Sequence, residues 1–205
     1  MQQKIQYQFA SLSLDGGPVR SSTGVVIETQ AIGFGSYDTL IIAGALLIPK
    51  AMPALEAKLK EAASDTKRIA SICSGAFVLA NSGLLDGKRA TTHWAWGRDL
   101  QQQHPAVLVD EDKIYVKDGQ VWTSAGATAC IDLALALVEA DLGAEVTKSI
   151  ARLMVVHHRR TGGQSQFSAM AELEPSSDRV RDALKFAKEN LQKDLTVEDL
   201  SLIHI

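Results

Sequence analysis

Cys73 lies in the stretch S-I-C-S-G-A-F-V-L-A, residues 71–80, between two apolar runs. Small residues two positions before and after the cysteine are typical of a strand-to-helix elbow, where the backbone bends sharply and presents one side chain. A helix N-terminus favours the thiolate through its dipole and its free amides. Free cysteines are also among the most buried residues, so a ligand-contacting thiol and a structural cysteine both stay open here.

Two other segments supply candidate neighbours for this thiol. Gly44 and Ala45 follow a short apolar run, and backbone N–H groups there could face a bound oxyanion. T-T-H-W at residues 91–94 supplies His93. Strand-ending glycines and lone histidines often have structural roles only. The pattern predicts a ligand-binding set whose members are Gly44, Ala45, Cys73, Ser74 and His93, and the pair of Cys73 and His93 is the catalytic alternative.

The composition of the 205-residue chain excludes several classes of protein. Its 46% hydrophobic and 22% charged residues are typical of a globular domain. A net charge of −3 provides no general basic surface for nucleic acid. No stretch approaches the ~18 apolar residues of a membrane span, and the N-terminus does not resemble a signal peptide. Cys73 and Cys130 lack metal-ligand spacing. We therefore expect a cytoplasmic protein with no membrane partner, no metal and no cofactor.

The hydrophobic pattern predicts strands that alternate with helices around the elbow. This order indicates an α/β fold with a mostly parallel sheet, whose sites lie beyond the carboxyl ends of the strands. The predicted strands are 5–14, 24–29, 39–44, 67–72, 107–109, 114–116 and 121–123. Helices are predicted from Pro53, over 75–83, over 127–141 and over 145–159, the last with a stripe of Ile150, Leu153, Met154 and His157.

The C-terminal part of the sequence has a different character. E-P-S-S-D at 174–178 predicts a linker, an amphipathic helix follows it, and T-V-E-D at 196–199 is a capping box that opens another helix. From Asp178 onward five basic residues stand against six acidic ones. Such a tail has no basic patch that would hold phosphates, so we do not expect this chain alone to bind an operator.

Three stretches resemble one known family. They are R-I-A-S-I-C-S-G-A-F-V-L-A-N-S-G-L-L-D-G-K-R-A-T-T-H-W-A-W, D-G-Q-V-W-T-S-A-G-A-T-A-C-I-D-L-A-L-A-L-V-E-A-D-L-G and R-R-T-G-G-Q-S-Q-F. They resemble the ThiJ/PfpI-like (class I glutamine amidotransferase-like) sensor domain of GlxA-type AraC-family transcriptional regulators, over about residues 10–172. The tail from Asp178 resembles the opening of an AraC-type helix-turn-helix domain.

The resemblance implies a flavodoxin-like three-layer sandwich over residues 1–172, a linker at 173–178 and a truncated helical start of a DNA-binding domain at 179–205. It also implies a small-molecule effector, a homodimer, and DNA contact only through a complete C-terminal domain. The family's catalytic members commonly carry a histidine directly after the cysteine. Ser74 stands there in this chain and is no general base, so the sequence favours a sensor without turnover.

Three departures and several rival roles accompany this interpretation. Relatives begin with a strand and helix ahead of the region matched by 5–14, and a glycine pair stands where this chain has Gly44 and Ala45. The third departure is S-L-I-H-I at 201–205, which does not continue the family pattern. The rival activities are a cysteine-dependent amidase, hydratase or deglycase, or redox sensing at Cys73. H-H-R-R at 157–160 is either a phosphate site or the basic C-terminus of a helix. Trp94 and Trp96 are expected in the core or in a pocket wall. Cys130 is expected to be a small core residue.

Overall fold

The computed structural model describes residues 7–21, 23–33, 37–156, 159–166, 178–190, 192 and 195–196. The chain forms two compact units, Met1–Gln166 and Phe167–Ile205. The strands of the first unit are β1 (Leu12–Ser13), β2 (Gly17–Arg20), β3 (Val26–Ala31), β4 (Thr39–Ile42), β5 (Arg68–Ile72), β6 (Arg89–Ala90), β7 (Leu108–Val109), β8 (Tyr115–Asp118) and β9 (Val121–Ser124). Its helices are α1 (Pro53–Ser64), α2 (Gly75–Asn81), α3 (Gly97–Gln103), α4 (Ala129–Leu142) and α5 (Ala144–Leu153), with a 3₁₀ turn at Trp94–Trp96.

A four-stranded sheet forms the centre of the first unit, in the order β4-β5-β9-β8. β4, β5 and β9 are parallel, and β8 pairs antiparallel with β9, the strand that follows it in the chain. Both faces are covered. Ile69 of β5 packs in a core cluster with Phe77 and Leu79 of α2, whereas the next residue, Ala70, packs in another with Leu133 of α4. Because successive side chains of a strand point to opposite faces, this confirms the predicted three-layer α/β sandwich.

The N-terminal strands differ from the prediction. The strand expected over 5–14 is reduced to β1 at Leu12–Ser13, with residues 1–6 outside the described part. β1, β3 and β2 form their own sheet, in which β2 pairs antiparallel with β3. Gly16 and Gly17, within the run D-G-G-P at 15–18, have φ of 74° and 79°, and β2 begins at Gly17. Among the described residues β4 pairs with β5 alone, and its other edge carries no strand. Ile41 on β4 is 46% exposed.

The helix predicted over 145–159 is shorter than expected. α5 ends at Leu153, and Val155 adopts φ of 55°. Its amide donates to the carbonyl of Arg152, and the amide of Val156 donates to that of Ala151, which is how a left-handed residue closes a helix. Of the predicted stripe, Ile150 and Leu153 lie on α5 and Met154 is its C-cap, and Leu153 and Met154 are 83% and 56% exposed. His157 lies outside the described residues.

The second unit contains α6 (Asp178–Glu189), the helix that the C-terminal pattern predicts. The predicted boundary at 172 and most of the predicted linker fall in 167–177, outside the described residues. Only Thr196 of the predicted capping box is described, and it is not helical. None of the helices in the described ranges is long and apolar enough to cross a membrane.

Candidate functional site

Cys73 connects β5 to α2 in a strained backbone conformation. Its φ is 54°, a left-handed value that non-glycine residues rarely adopt and that occurs most often where function requires it. The neighbouring strand end and loop hold it there: its amide donates to the carbonyl of Ser124 (3.0 Å), and its carbonyl accepts from Thr92 Oγ1 (2.8 Å). Cys73 thus lies where the backbone passes from strand β5 to helix α2, the position at which the small-residue spacing predicts an elbow.

Two glycines make room for the Cys73 side chain. A Cβ at Gly44 would lie 2.8 Å from Cys73 Cβ, and a Cβ at Gly126 would lie 2.6 Å from Cys73 Cβ and 2.8 Å from Sγ. Gly44 follows β4 and Gly126 follows β9, so the carboxyl ends of three parallel strands meet at this sulfur. The prediction included Gly44 but missed Gly126. The run S-A-G-A at the end of the third parallel strand was the available signal.

Ser74 holds the strand ends together. Its hydroxyl is buried and does not cap α2; instead it donates to the carbonyl of Ala45 (2.9 Å) and accepts from the Ala45 amide (2.8 Å). The predicted N–H donor at Ala45 is thus already engaged within the protein. The ligand-binding roles of Gly44, Ala45 and Ser74 stay predictions, but the polar groups of Ala45 and Ser74 bind each other.

The environment of Cys73 favours the protonated thiol. Burial raises the pKa of the Cys73 thiol above its ordinary value, and the backbone N–H of Ser74 offsets only part of this shift. The expectation that the elbow favours thiolate is therefore wrong. α2 has seven residues, so its dipole is small, and the glycines and strand ends that crowd the sulfur also remove water from it.

His93 lies in the segment 91–94 but makes no hydrogen bond to Cys73 in the part of the chain that the structure describes. It precedes the 3₁₀ turn, and its Nδ1 accepts from the Ala95 amide at 3.3 Å. Its ring packs against Trp96 and Trp94, with centroid distances of 5.1 and 5.5 Å. The adjacent residue Thr92, which the prediction missed, is the one that contacts Cys73. The structure thus brings the two segments together through Thr92.

Two hollows formed by described residues lie elsewhere and do not include Cys73. One, of about 440 Å³, is lined by Trp94, Ala95, Arg98, Glu111 and Asp112 on the outer side of the His93 segment. The other, of about 270 Å³, lies against α1 and includes Ile32, Lys58 and Asp65. The thiol itself is partly exposed. Within the described ranges no group of three potential ligands could hold a metal ion.

The basic segment at 157–160 has a structural role in its described half. Arg159 forms an ion pair with Glu139 of α4. Arg160 binds Asp132, a carboxylate only 4% exposed, through its backbone amide (2.9 Å) and its guanidinium (2.7 and 2.9 Å). These contacts attach residues 159–160, which follow α5, to helix α4. Both arginines therefore bind carboxylates and are not available as a phosphate site. Cys130 on α4 is partly exposed and is not a fully buried core residue.

Comparison with known proteins extends these observations. A profile of the DJ-1/PfpI family matches residues 2–140. The HTH-type transcriptional regulator GbdR of Pseudomonas aeruginosa is 25% identical over 200 residues, 96% of this chain and 54% of the regulator. The isonitrile hydratase of Pseudomonas putida is 32% identical over 141 residues, 65% of this chain and 59% of that protein. This chain spans about half the length of the regulators it matches.

A solved structure shows the same fold. The crystal structure of an AraC family transcriptional regulator from Pseudomonas putida aligns with a TM-score of 0.64 at 22% identity. The alignment covers 74% of this chain and 83% of that chain. The predicted flavodoxin-like α/β architecture is thereby confirmed, together with the resemblance from which it was inferred.

Proposed function

This chain belongs to the DJ-1/PfpI family, and from that premise we propose that it is the sensor part of an AraC-family transcriptional regulator. A small metabolite binds over Cys73 and alters the packing around the elbow, and the regulator's DNA-binding part responds. Relatives that match this chain are transcriptional regulators, and the match to GbdR extends into the second unit. The regulatory role of the complete protein, its effector and its homodimeric state are parts of this proposal.

One observation carries the preference for sensing over catalysis: burial raises the pKa of the Cys73 thiol, and no base among the described residues forms a hydrogen bond with its side chain. A nucleophilic cysteine is activated by a lowered pKa or by an adjacent base at hydrogen-bonding distance. Here burial raises the pKa of Cys73, and the Nδ1 of His93 accepts a backbone hydrogen bond from Ala95 instead. Ser74, the residue directly after the cysteine, directs its hydroxyl to Ala45. These contacts support recognition by shape and hydrogen bonding.

A ligand at this elbow would act through the strand ends. Gly44, Cys73 and Gly126 approach each other closely, so a molecule that presses on one of them must displace another. Thr92 would pass that displacement to the His93 segment. In a dimeric regulator such a shift would alter the spacing of two helix-turn-helix units on their half-sites.

The ligand experiment compares Cys73→Ala with the wild type in the regulator that carries this chain. A gel shift is titrated with single amino acids and their amides as probes. We expect Cys73→Ala to weaken the response to an active probe at least about tenfold, with DNA affinity unchanged in its absence. Cys130→Ala is the matched control and keeps the wild-type response. A probe whose effect is the same in Cys73→Ala and wild type would contradict the proposed site.

The rival function is a cysteine-dependent hydrolase or hydratase, and the identity to an isonitrile hydratase favours testing it. In that reaction Cys73 would attack the substrate carbon and His93 would relay protons. Steady-state assays with a small alkyl isonitrile, acetamide and methylglyoxal should show no turnover above that of Cys73→Ser. Turnover that Cys73→Ser abolishes would replace the sensor proposal with the enzyme.

A further inference from the structure

Gln166, the last residue of the first unit, makes four side-chain hydrogen bonds around the His93 segment. Its Oε1 accepts from the amide of Trp94 (2.9 Å). Its Nε2 donates to the carbonyls of Thr92 (2.9 Å) and Glu111 (3.0 Å), and more distantly to Thr91 Oγ1 (3.3 Å). A single amide side chain therefore binds the loop 91–94 through its oxygen and its NH2 group, and its NH2 group also binds Glu111.

The backbone around Gln166 is anchored next to that loop. The Gln166 amide donates to the backbone carbonyl and Oδ1 of Asp112 (3.2 and 3.0 Å), and Ser165 Oγ donates to the same Oδ1 (2.7 Å). One residue earlier, the carbonyl of Gln164 accepts from the amide of Ile114 (3.1 Å). The segment 164–166 thus runs beside 112–114, and its last side chain reaches across to 91–94.

The other side of the same loop contacts the elbow. Thr92 Oγ1 donates to the carbonyl of Cys73 (2.8 Å), and the amide of Thr91 donates to Thr123 Oγ1 of β9 (2.8 Å). Thr91 and Thr92 are fully buried. The loop 91–94 therefore lies between Cys73 and Gln166 and forms direct hydrogen bonds to both. A displacement of the Cys73 backbone would move Thr92 and so alter the loop's hydrogen bonds to Gln166.

We propose that Gln166 is the positioning residue that couples the Cys73 elbow to the chain leaving the first unit. The side chain of Gln166 holds the loop 91–94 in the arrangement described here. Its hydrogen bonds to the loop weaken when a ligand at the elbow displaces Thr92. The next residue, Phe167, begins the second unit, so the change arrives where the regulator would need it. This inference rests on the proposed sensor function, since it supplies the connection from ligand site to output.

The test uses iodoacetamide as the probe, because it perturbs Cys73 without any knowledge of the effector. The whole chain in a Cys130→Ser background is alkylated at pH 8.5, where the thiolate displaces iodide and the thiol proton passes to buffer. Hydrogen–deuterium exchange is then measured for the amides of Trp94, Ile114 and Gln166. We expect exchange at Trp94 and Gln166 to accelerate by about fivefold or more, the lower range of coupling between sites.

The reciprocal variant is Gln166→Leu, which removes all four side-chain bonds while keeping a similar volume. Because Thr92 bonds the Cys73 carbonyl from the loop that Gln166 holds, this variant should also change the alkylation rate of Cys73. Alkylation of the variant should then leave exchange at residue 166 unchanged. Gln101→Leu is the matched control, because Gln101 bonds the backbone of Val107 and Val109 in the same two-sided manner, on residues outside the loop 91–94.

Three results would contradict the proposed coupling between Cys73 and Gln166. Unchanged exchange at Gln166 after alkylation of the wild-type background would overturn the coupling, whether or not Gln166→Leu folds. Persistent coupling in Gln166→Leu, or in Gln166→Asn as a second variant, would assign the connection to other contacts. An effect of Gln101→Leu equal to that of Gln166→Leu would show a general loosening instead. Because no metabolite is used, failure here leaves the gel-shift test of the sensor function unaffected.

Discussion

Gly126→Ala provides the most direct test of the close approach at the elbow. The new Cβ would lie 2.6 Å from Cys73 Cβ and 2.8 Å from Sγ, and the backbone at this position has φ of 125°. Overpacking of a tight site costs about 1–3 kcal/mol. A non-glycine residue in such a backbone region costs about 1–3 kcal/mol more. We therefore expect the free energy of unfolding to fall by about 2–6 kcal/mol.

Two further variants separate the steric part from the backbone part. Gly119→Ala has φ of 61° but no atom within 4 Å of the new Cβ, so it should lose only about 1–2 kcal/mol. Cys73→Gly removes both the Cβ and the Sγ that Gly126→Ala would strike. In that background the cost of Gly126→Ala should fall by about 1–3 kcal/mol, which is the coupling expected for residues in contact.

The assay is urea unfolding followed by tryptophan fluorescence and by far-UV circular dichroism, with the four members of the cycle measured together. Coincident transitions from the two probes justify comparing the free energies of unfolding. If Gly126→Ala costs the same in the wild-type and Cys73→Gly backgrounds, the two residues do not share the space described here. The convergence of three strand ends on the sulfur would then be wrong.

Two other predictions concern the buried carboxylate and the thiol. Asp132→Ala leaves the Arg160 guanidinium and amide without their acceptor. We therefore expect the free energy of unfolding in urea to fall by about 3 kcal/mol for Asp132→Ala, and by less for Asp132→Asn. Equal stability of Asp132→Ala and wild type would contradict the pairing. Burial raises the pKa of Cys73, so its thiolate, the reactive form, is the minor form at pH 7. Alkylation should accelerate about tenfold per pH unit from pH 7 to 8.5, and a plateau below pH 8 would show a lowered pKa.

The central sheet could be predicted because its strands leave a strong local signal. β4 and β5 appear in the sequence as short apolar runs that end in small residues, which is the pattern of strands buried on both faces. The rule that sites lie at the carboxyl ends of parallel strands then places Gly44 near Cys73. Both inferences need only residues that are close together in the chain.

The contacts that complete the site could not be predicted in the same way. Gln166 and Thr92 are 74 residues apart in sequence, and no local pattern announces that an amide side chain will bond a distant loop. The end of α5 also lacked a signal, because Val155 takes the left-handed conformation in which glycine is expected. The raised pKa of Cys73 depends on how closely the neighbouring strand ends surround the sulfur, which only the folded structure shows.

The edge of β4, on which the described residues place no strand, has a practical consequence for handling the molecule. From Thr39 to Pro49 the sequence carries no charge, and Leu46 and Leu47 are 80% and 76% exposed. Natural sheets usually protect an edge with lysine, proline or a bulge, since a bare apolar edge acts as a template for strands of other molecules. Concentrated samples of this chain will therefore tend to aggregate through β4, and a single lysine at position 41 should raise the concentration at which they stay clear.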